Sequence, residues 1–244
     1  MNMFACNVRT YVHTSAMVNR LRFRATLVYY RFMIIAHHLI WTVYGSWLPN
    51  DPRGSMSRRM RRDVLSELGG IHYGRKSVQP AGWEIREFYN EASSVLKHEP
   101  TDISADDRLI VAASFARTVA HRKYTCYACA IMPDHVHMLI REHRDSAEQM
   151  IANLQIDSRD ALRDQDSRPP DHPIWGGPGW KVFQDCPDDV RRTITYIEEN
   201  PVKMRRGRQD WEFVQAYDGW PLGQGHNPNS PYAKRQSGEP FRKK

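Results

Sequence analysis

The stretch Met132-Pro133-Asp134-His135-Val136-His137-Met138-Leu139-Ile140 carries two histidines inside an otherwise apolar run. Successive side chains of a strand point to opposite faces, and the strand rises about 3.3 Å per residue. His135 and His137 would therefore share one face, with Cα atoms roughly 6.6 Å apart, while Val136 and Met138 face a core. Two imidazoles at this spacing can bind one divalent cation. The alternative is a pair of half-buried histidines on a sheet.

A second apolar segment comes directly before this stretch. Residues 124–132 are rich in aromatic and apolar side chains, and Pro133-Asp134 has the composition of a turn. The two segments predict a β-hairpin whose second strand begins with the histidines. Cys126 and Cys129 lie in the first strand, where their odd separation predicts opposite faces. No second C-x-x-C completes a zinc site, so we expect structural cysteines.

The composition favours a globular protein with a polyanionic partner. The chain has 244 residues, of which 41% are hydrophobic, and its 35 basic residues exceed its 28 acidic ones. The pI is near 9.3. Residues 1–32 carry five arginines and no acid, and residues 201–244 carry nine basic residues against four acidic ones. This distribution favours nucleic acid as a partner, although a basic tail is commonly just a solvated one.

We divide the chain into an N-terminal arm (1–32), one domain (33–221) with an insertion at about 53–100, and a basic tail (222–244). The arm is either poorly ordered or translated from an upstream start, since Met33 begins the first well-patterned segment. No run of eighteen apolar residues predicts a membrane span, and residues 1–32 lack a clean signal-peptide core. The default expectation is therefore the cytoplasm.

The domain begins with a β-branched and aromatic segment, 33–44, which predicts a first strand. His37 and His38 are adjacent in it and face oppositely, so that one of them could approach a metal, although a core or surface position is the usual one. Apolar spacing predicts a helix over 104–121 with Ser104 as N-cap, and Asp145-Ser146 opens another helix through about Arg163.

An aromatic, glycine-rich segment at 173–183 predicts a short strand or ribbon. Trp175 and Trp180 lie in it. They either stack on the bases of a nucleic acid or close the core over the edge of the sheet, and the sequence leaves both alternatives open.

The last predicted helix begins at Cys186-Pro187, where a proline and following acids suit a first turn. Arg192, Tyr196 and Asn200 recur every four residues and lie on one stripe, and Pro201 predicts the end of the helix at about Asn200. A phenol can attack phosphorus when a cation or base assists it. An amide oxygen one turn later can be a third ligand to Mg²⁺ or Mn²⁺. The alternative is a surface tyrosine and a capping asparagine.

Two motifs, in this order, resemble a known family: Pro133-Asp134-His135-Val136-His137 and Tyr196-Ile197-Glu198-Glu199-Asn200-Pro201-Val202-Lys203. They are similar to motifs of the single-tyrosine HUH transposases, in particular the REP-associated tyrosine transposases of insertion-sequence type. An early Trp47-Leu48-Pro49-Asn50-Asp51 and a late Trp211-x-Phe213-Val214…Tyr217-Asp218-Gly219-Trp220 also match a branch of that family. The resemblance covers roughly residues 33–221.

The resemblance implies an α+β fold, namely a ferredoxin-like or RRM-like antiparallel sheet with helices on one face and an HUH-type core. It implies that His135, His137 and Asn200 hold Mg²⁺ or Mn²⁺ and that Tyr196 is the nucleophile. The family cuts single-stranded DNA beside imperfect hairpins, leaving a 5′-phosphotyrosine and a free 3′-OH that can later reverse the reaction. Some members assemble their sites across a dimer, so a homodimer stays an open alternative.

Two other functions stay open. A domesticated hairpin-binding protein of the same fold would not need Tyr196. A hydrolytic metalloenzyme that uses H-x-H ranks last, because the Asp and His of the metallo-β-lactamase pattern do not follow the pair. For contacts with DNA we expect the two tryptophans named above to meet bases and five basic residues to meet phosphates: Lys181, Arg192, Lys203, Arg205 and Arg206.

Overall fold

The computed structural model describes residues 34–60, 63–165 and 171–220. The predicted arm (1–32) and tail (222–244) lie outside the described residues, so these predictions stay predictions. None of the described helices is long and apolar enough to cross a membrane. The strands are β1 (Ala36–Thr42), β2 (Cys126–Ile131), β3 (His135–Arg141) and β4 (Trp180–Gln184). The α-helices are α1 (Gly82–Val95), α2 (Ala105–Arg122), α3 (Ala147–Arg163) and α4 (Pro187–Lys203).

The four strands form one antiparallel sheet in the order β2-β3-β1-β4. With α2 between β1 and β2, and α3 between β3 and β4, the chain follows the β-α-β-β-α-β order of the ferredoxin-like fold. The α+β class and the antiparallel sheet predicted from the sequence are confirmed. The predicted β-hairpin around Pro133 is confirmed as β2 and β3.

Strand register places the histidines on a common face. His137 lies opposite Ile40 of β1 and Ala130 of β2, and His135 lies opposite Thr42. Paired residues of antiparallel strands point to the same side of a sheet. We call this side the histidine face. His38 lies on it too, because it pairs with Leu139, two residues after His137.

The opposite face carries the main core. Trp41, Val136 and Met138 point into it and pack against Phe115 of α2 and Met150 of α3. Each fully buried side chain of this size contributes about 1.5–3 kcal/mol. Both helices begin as the sequence predicts, since the side chains of their N-cap residues Ser104 and Ser146 accept hydrogen bonds from backbone N–H groups in the first turn.

Helix α4 lies on the histidine face, so the prediction that the helices lie on one face of the sheet is wrong for α4. Its Val190 and Ile197 are fully buried against a group of small and apolar residues of β2 and β3 that includes Ala130 and Leu139. The predicted end at Asn200 is wrong, since α4 continues to Lys203 with Pro201 inside it. Burial of the Pro201 ring offsets the backbone hydrogen bond that proline cannot donate. Asn200 therefore lies on a regular turn.

Strand β2 departs from strict alternation. A register shift between Cys126 and Ala128 changes which side the following residues face. Cys126 and Cys129 consequently both point into the main core, not to opposite faces as predicted. Burial raises the pKa of the Cys126 thiol to about 12 and also raises that of Cys129. Both thiols stay protonated at neutral pH, as structural cysteines do.

The 53–100 segment has a small core of its own. The segment contains a short 3₁₀ helix, Asp63–Leu68, and α1. Leu65 and Ala92 are buried there together with Leu48 from the preceding loop. Its last residue, Pro100, packs against Gly45, which precedes the segment: a Cβ added at Gly45 (φ +82°) would lie 2.7 Å from Cβ of Pro100.

Candidate metal and nucleophile site

His135 and His137 lie next to each other on the histidine face, as the strand period predicts. Their ring centroids are 4.8 Å apart and the rings are nearly perpendicular, at 87°. His137 is buried, at 5% exposure, whereas His135 is only half-buried. The pair therefore has one histidine inside the protein and one at the edge of solvent.

Asp134 holds the ring of His135. The Nδ1 atom of His135 lies 2.6 Å from Oδ1 of Asp134, and the other carboxylate oxygen accepts a hydrogen bond of 2.9 Å from the indole N–H of Trp47. Burial alone would raise the pKa of Asp134, but the hydrogen bonds from His135 and Trp47 hold that pKa below its usual value. A carboxylate on one ring nitrogen, with the other nitrogen left for a metal, is typical of metal-binding histidines.

His38 holds the ring of His137. Its Nε2 lies 3.0 Å from Nδ1 of His137. Burial lowers the pKa of His38 to about 4 and holds the pKa of His137 well below its usual value. When His137 donates through Nδ1, its Nε2 keeps the lone pair that a metal needs. Of the two adjacent histidines in β1, the structure brings His38 to the site, since His37 lies on the opposite face of the sheet.

Tyr196 of α4 lies over these histidines. Its ring centroid is 5.4 Å from that of His137 and 6.1 Å from that of His38. Its burial is intermediate, and Nζ of Lys203 lies 5.6 Å from its ring centroid. The packing of Val190 and Ile197 fixes α4 on the sheet, so a phenol, two imidazoles and an ammonium group lie close together.

Asn200 follows Tyr196 by one helical turn. Its side-chain nitrogen is buried and has no hydrogen-bond partner among the described residues. A buried polar atom without a partner costs about 1–3 kcal/mol. Because a terminal amide can turn over with little change of shape, the amide oxygen can occupy the same place. Two imidazoles and an amide oxygen form a donor set that fits a divalent cation.

A second group of metal-ligand types lies at the start of α4. One ligand atom each from Asp185, Cys186 and Asp189 lies within 4.8 Å of the others. Two of these groups already have partners, since the Cys186 thiol donates to Asp189 and Arg192 pairs with Asp189. Acids at this position also stabilise the helix dipole. We therefore assign the group a structural role.

The basic residues expected to contact phosphates lie in different places. Lys203, Arg205 and Arg206 are exposed at or just after the C-terminal end of α4, and Lys203 lies beside Tyr196. Arg192 is exposed on the same helix and is paired as described above. Lys181 points to the face opposite the histidine face and pairs with Glu148 of α3. Its position therefore does not fit the expected contact with DNA at the histidines.

The two tryptophans expected to stack on bases lie in different environments. Trp175 is buried against Trp41, with ring centroids 6.0 Å apart, and its N–H donates to a backbone oxygen of α3. It closes the main core, so the base-stacking role does not fit it. Trp180 lies opposite Ile40 and therefore on the histidine face, where it is half-buried.

A hydrogen-bonded loop lies beside the site, against Asp134. We call residues 45–54 the tryptophan loop. The guanidinium of Arg53 lies 3.8 Å from the ring centroid of Trp47 and donates to Asp51 at 3.0 and 2.7 Å. The sequence signal was the motif beginning at Trp47, which the family resemblance identified without assigning a function.

Comparisons with known proteins add little. No protein-family model matches the chain, and no curated protein matches it. Among solved structures, the chain is similar to a REP-associated tyrosine transposase bound to a REP hairpin, with 13% identity and a TM-score of 0.39. The match covers 84% of this chain and 81% of that chain. A likeness this distant shows no function for this chain.

Proposed function

We propose that the protein nicks and rejoins single-stranded DNA beside a hairpin, with Tyr196 as the nucleophile and a divalent cation, Mg²⁺ or Mn²⁺, as cofactor. The observation that carries the proposal is the position of the Tyr196 ring, 5.4 Å from that of His137. A tyrosine with no role beyond the protein surface would not be expected to lie over a pair of oriented histidines. A metal ion bound by these histidines would supply the positive charge that stabilises the attacked phosphate.

The reaction would conserve the energy of the phosphodiester. The phenol oxygen of Tyr196 forms a bond to phosphorus and its proton passes to solvent. The bond from phosphorus to the 3′ oxygen breaks, and that oxygen takes up a proton from solvent. The products are a 5′-phosphotyrosine and a free 3′-OH, and attack by a 3′-OH on the phosphotyrosine reverses the step. Because no bond energy is lost, rejoining requires no nucleotide hydrolysis.

The chain supplies the groups that such a reaction needs. A cation held by His135, His137 and Asn200 would stabilise the charge on the scissile phosphate. Lys203 lies beside the nucleophile and would neutralise a neighbouring phosphate. The unpartnered amide of Asn200 supports the ligand set, since cation binding would give this buried group a partner.

The test is a covalent-adduct assay with the full-length protein. Purified protein and Mg²⁺ or Mn²⁺ are mixed with end-labelled single strands that cover the inverted repeats flanking its gene, and the products are run on a denaturing gel. We expect a covalent protein–DNA band that does not form when EDTA is present from the start of the reaction. Tight hairpin binding without such a band, on every strand, would instead support the alternative of a hairpin-binding protein that does not nick DNA, which we call the binding-only protein.

Trp180 should contribute to the affinity for single-stranded DNA. Replacing it with alanine is expected to weaken binding about tenfold, since stacking of one base on an aromatic ring is worth about 1–3 kcal/mol. The measurement is fluorescence anisotropy of a labelled strand in EDTA. Phe183→Ala is the matched control, because Phe183 lies on the same strand, faces the opposite side and is 50% exposed. Equal losses in both variants would contradict a role specific to the histidine face.

The basic residues after Tyr196 should determine part of the salt dependence. Replacing Lys203, Arg205 and Arg206 with glutamine is expected to weaken binding and to reduce the slope of log K against log salt by about 2, at about 0.7 per phosphate contact. Arg117→Gln with Arg122→Gln is the control, since both exposed residues lie on α2, across the sheet. An unchanged salt slope in the triple variant would reject these contacts.

A further inference from the structure

We propose that the tryptophan loop is a positioning device for His135: Trp47 fixes the carboxylate of Asp134, and Asp134 fixes the imidazole in the orientation that a cation requires. Trp47 is thus a positioning residue and not a catalytic one. This inference rests on the proposed function, because it takes His135 to be a metal ligand.

The two hydrogen bonds divide one carboxylate between two partners. Oδ1 of Asp134 lies 2.6 Å from Nδ1 of His135, and Oδ2 accepts at 2.9 Å from the indole of Trp47. A carboxylate held at both oxygens cannot rotate freely, so it fixes the plane of the imidazole. It also favours the tautomer with the proton on Nδ1, which leaves Nε2 free to bind a metal. The indole meets the imidazole edge to face, with centroids 6.3 Å apart.

The backbone of Trp47 is strained in order to place the indole there. Its φ angle is +52°, in the left-handed region that bulky side chains rarely adopt. Strain of this kind persists where the surrounding structure enforces it, and it concentrates at functional sites. Gly45, two residues earlier, also has a left-handed backbone conformation, with φ +82°. The loop therefore maintains an unfavourable conformation that directs one side chain at Asp134.

The 53–100 segment enforces this conformation. The backbone N–H of Trp47 donates to the hydroxyl oxygen of Tyr89 in α1, at 2.8 Å. Tyr89 in turn donates to Asp51, which is fully buried, and Arg53 bridges Asp51 and the indole face. The segment that looks like an insertion in the sequence thus anchors the tryptophan loop from outside the ferredoxin-like core.

The test separates the hydrogen bond from the bulk of the side chain. Trp47→Phe removes the indole N–H and keeps a ring beneath Arg53, and Asp134→Asn removes the charge. Mn²⁺ affinity is measured by electron paramagnetic resonance, and the His135 tautomer is measured in the metal-free protein by long-range proton–nitrogen NMR. Substitutions of residues that hydrogen-bond to a metal ligand typically weaken metal binding about 10- to 100-fold. We expect a loss near the lower end of that range for Trp47→Phe and a larger loss for Asp134→Asn.

The tautomer readout would not respond to a merely structural role. We expect the metal-free wild type to hold the His135 proton on Nδ1 and Trp47→Phe to contain a mixture of tautomers. Trp83→Phe is the matched control, since Trp83 of α1 is 59% exposed and its loss should change neither readout. A thermal melt of each variant identifies any that fail to fold, and Tyr89→Phe offers a second way to loosen the loop.

The outcomes distinguish the two proposals. Unchanged Mn²⁺ affinity and an unchanged tautomer in folded Trp47→Phe would overturn the positioning role, whatever the gel assay shows. If the wild type binds no Mn²⁺ and forms no adduct, the proposed function fails. The tautomer of the metal-free protein would still show whether Trp47 controls the ring of His135.

Discussion

Tyr196→Phe is expected to abolish the covalent protein–DNA band while leaving the affinity for single-stranded hairpin DNA unchanged. The phenyl ring fills the same space over His137 and His38 and lacks only the oxygen that would bond to phosphorus. Removal of a nucleophile leaves no covalent route, so the rate of nicking should fall about a thousandfold or more. The measurement combines the adduct gel with anisotropy of a labelled hairpin in EDTA.

The control for this substitution is Tyr73→Phe, which removes the hydroxyl of a 49% exposed tyrosine in the 53–100 segment. It should form the adduct at the wild-type rate. An adduct that persists in Tyr196→Phe would assign the nucleophile to another side chain. A loss of hairpin affinity in Tyr196→Phe, with no adduct in the wild type, would make Tyr196 a binding residue and favour the binding-only protein.

Much of the fold was predictable because its signals are local. The N-cap serines at 104 and 146 act within one helical turn, and the alternation around His135 follows from strand geometry alone. Two features were not local. The bulge in β2 depends on its pairing with β3, and the continuation of α4 through Pro201 depends on burial of the proline ring against the rest of the protein.

The site was predictable only in part, for a similar reason. The contact between His38 and His137 joins residues 99 positions apart and arises because β1 lies next to β3 in the sheet. The contact between Trp47 and Asp134 spans 87 positions. Aromatic composition could not separate Trp175 from Trp180 either. Only the packing of the folded chain shows that Trp175 enters the core, and only strand register shows that Trp180 lies on the histidine face.

The second large effect concerns the histidine pair. His137→Gln is expected to weaken Mn²⁺ binding about a hundredfold. The substitution removes an imidazole that His38 orients, and the amide that takes its place has no such partner. At a Mn²⁺ concentration of about 100 Kd, binding stabilises the wild type by about 2.7 kcal/mol. For a domain of this size that shift raises Tm by about 5–10 °C. The same Mn²⁺ concentration should leave the Tm of His137→Gln nearly unchanged.

The comparison is made within each variant, with and without Mn²⁺, so that any loss of stability from the substitution itself cancels. His143→Gln is the matched control: this half-buried histidine packs on Tyr124, with ring centroids 4.9 Å apart, and faces no candidate ligand. It should keep the full Mn²⁺-dependent shift. A shift that persists in His137→Gln but disappears in Asp185→Asn with Asp189→Asn would place the cation at the start of α4. Tyr196 would then have no metal beside it, although its proposed chemistry requires one.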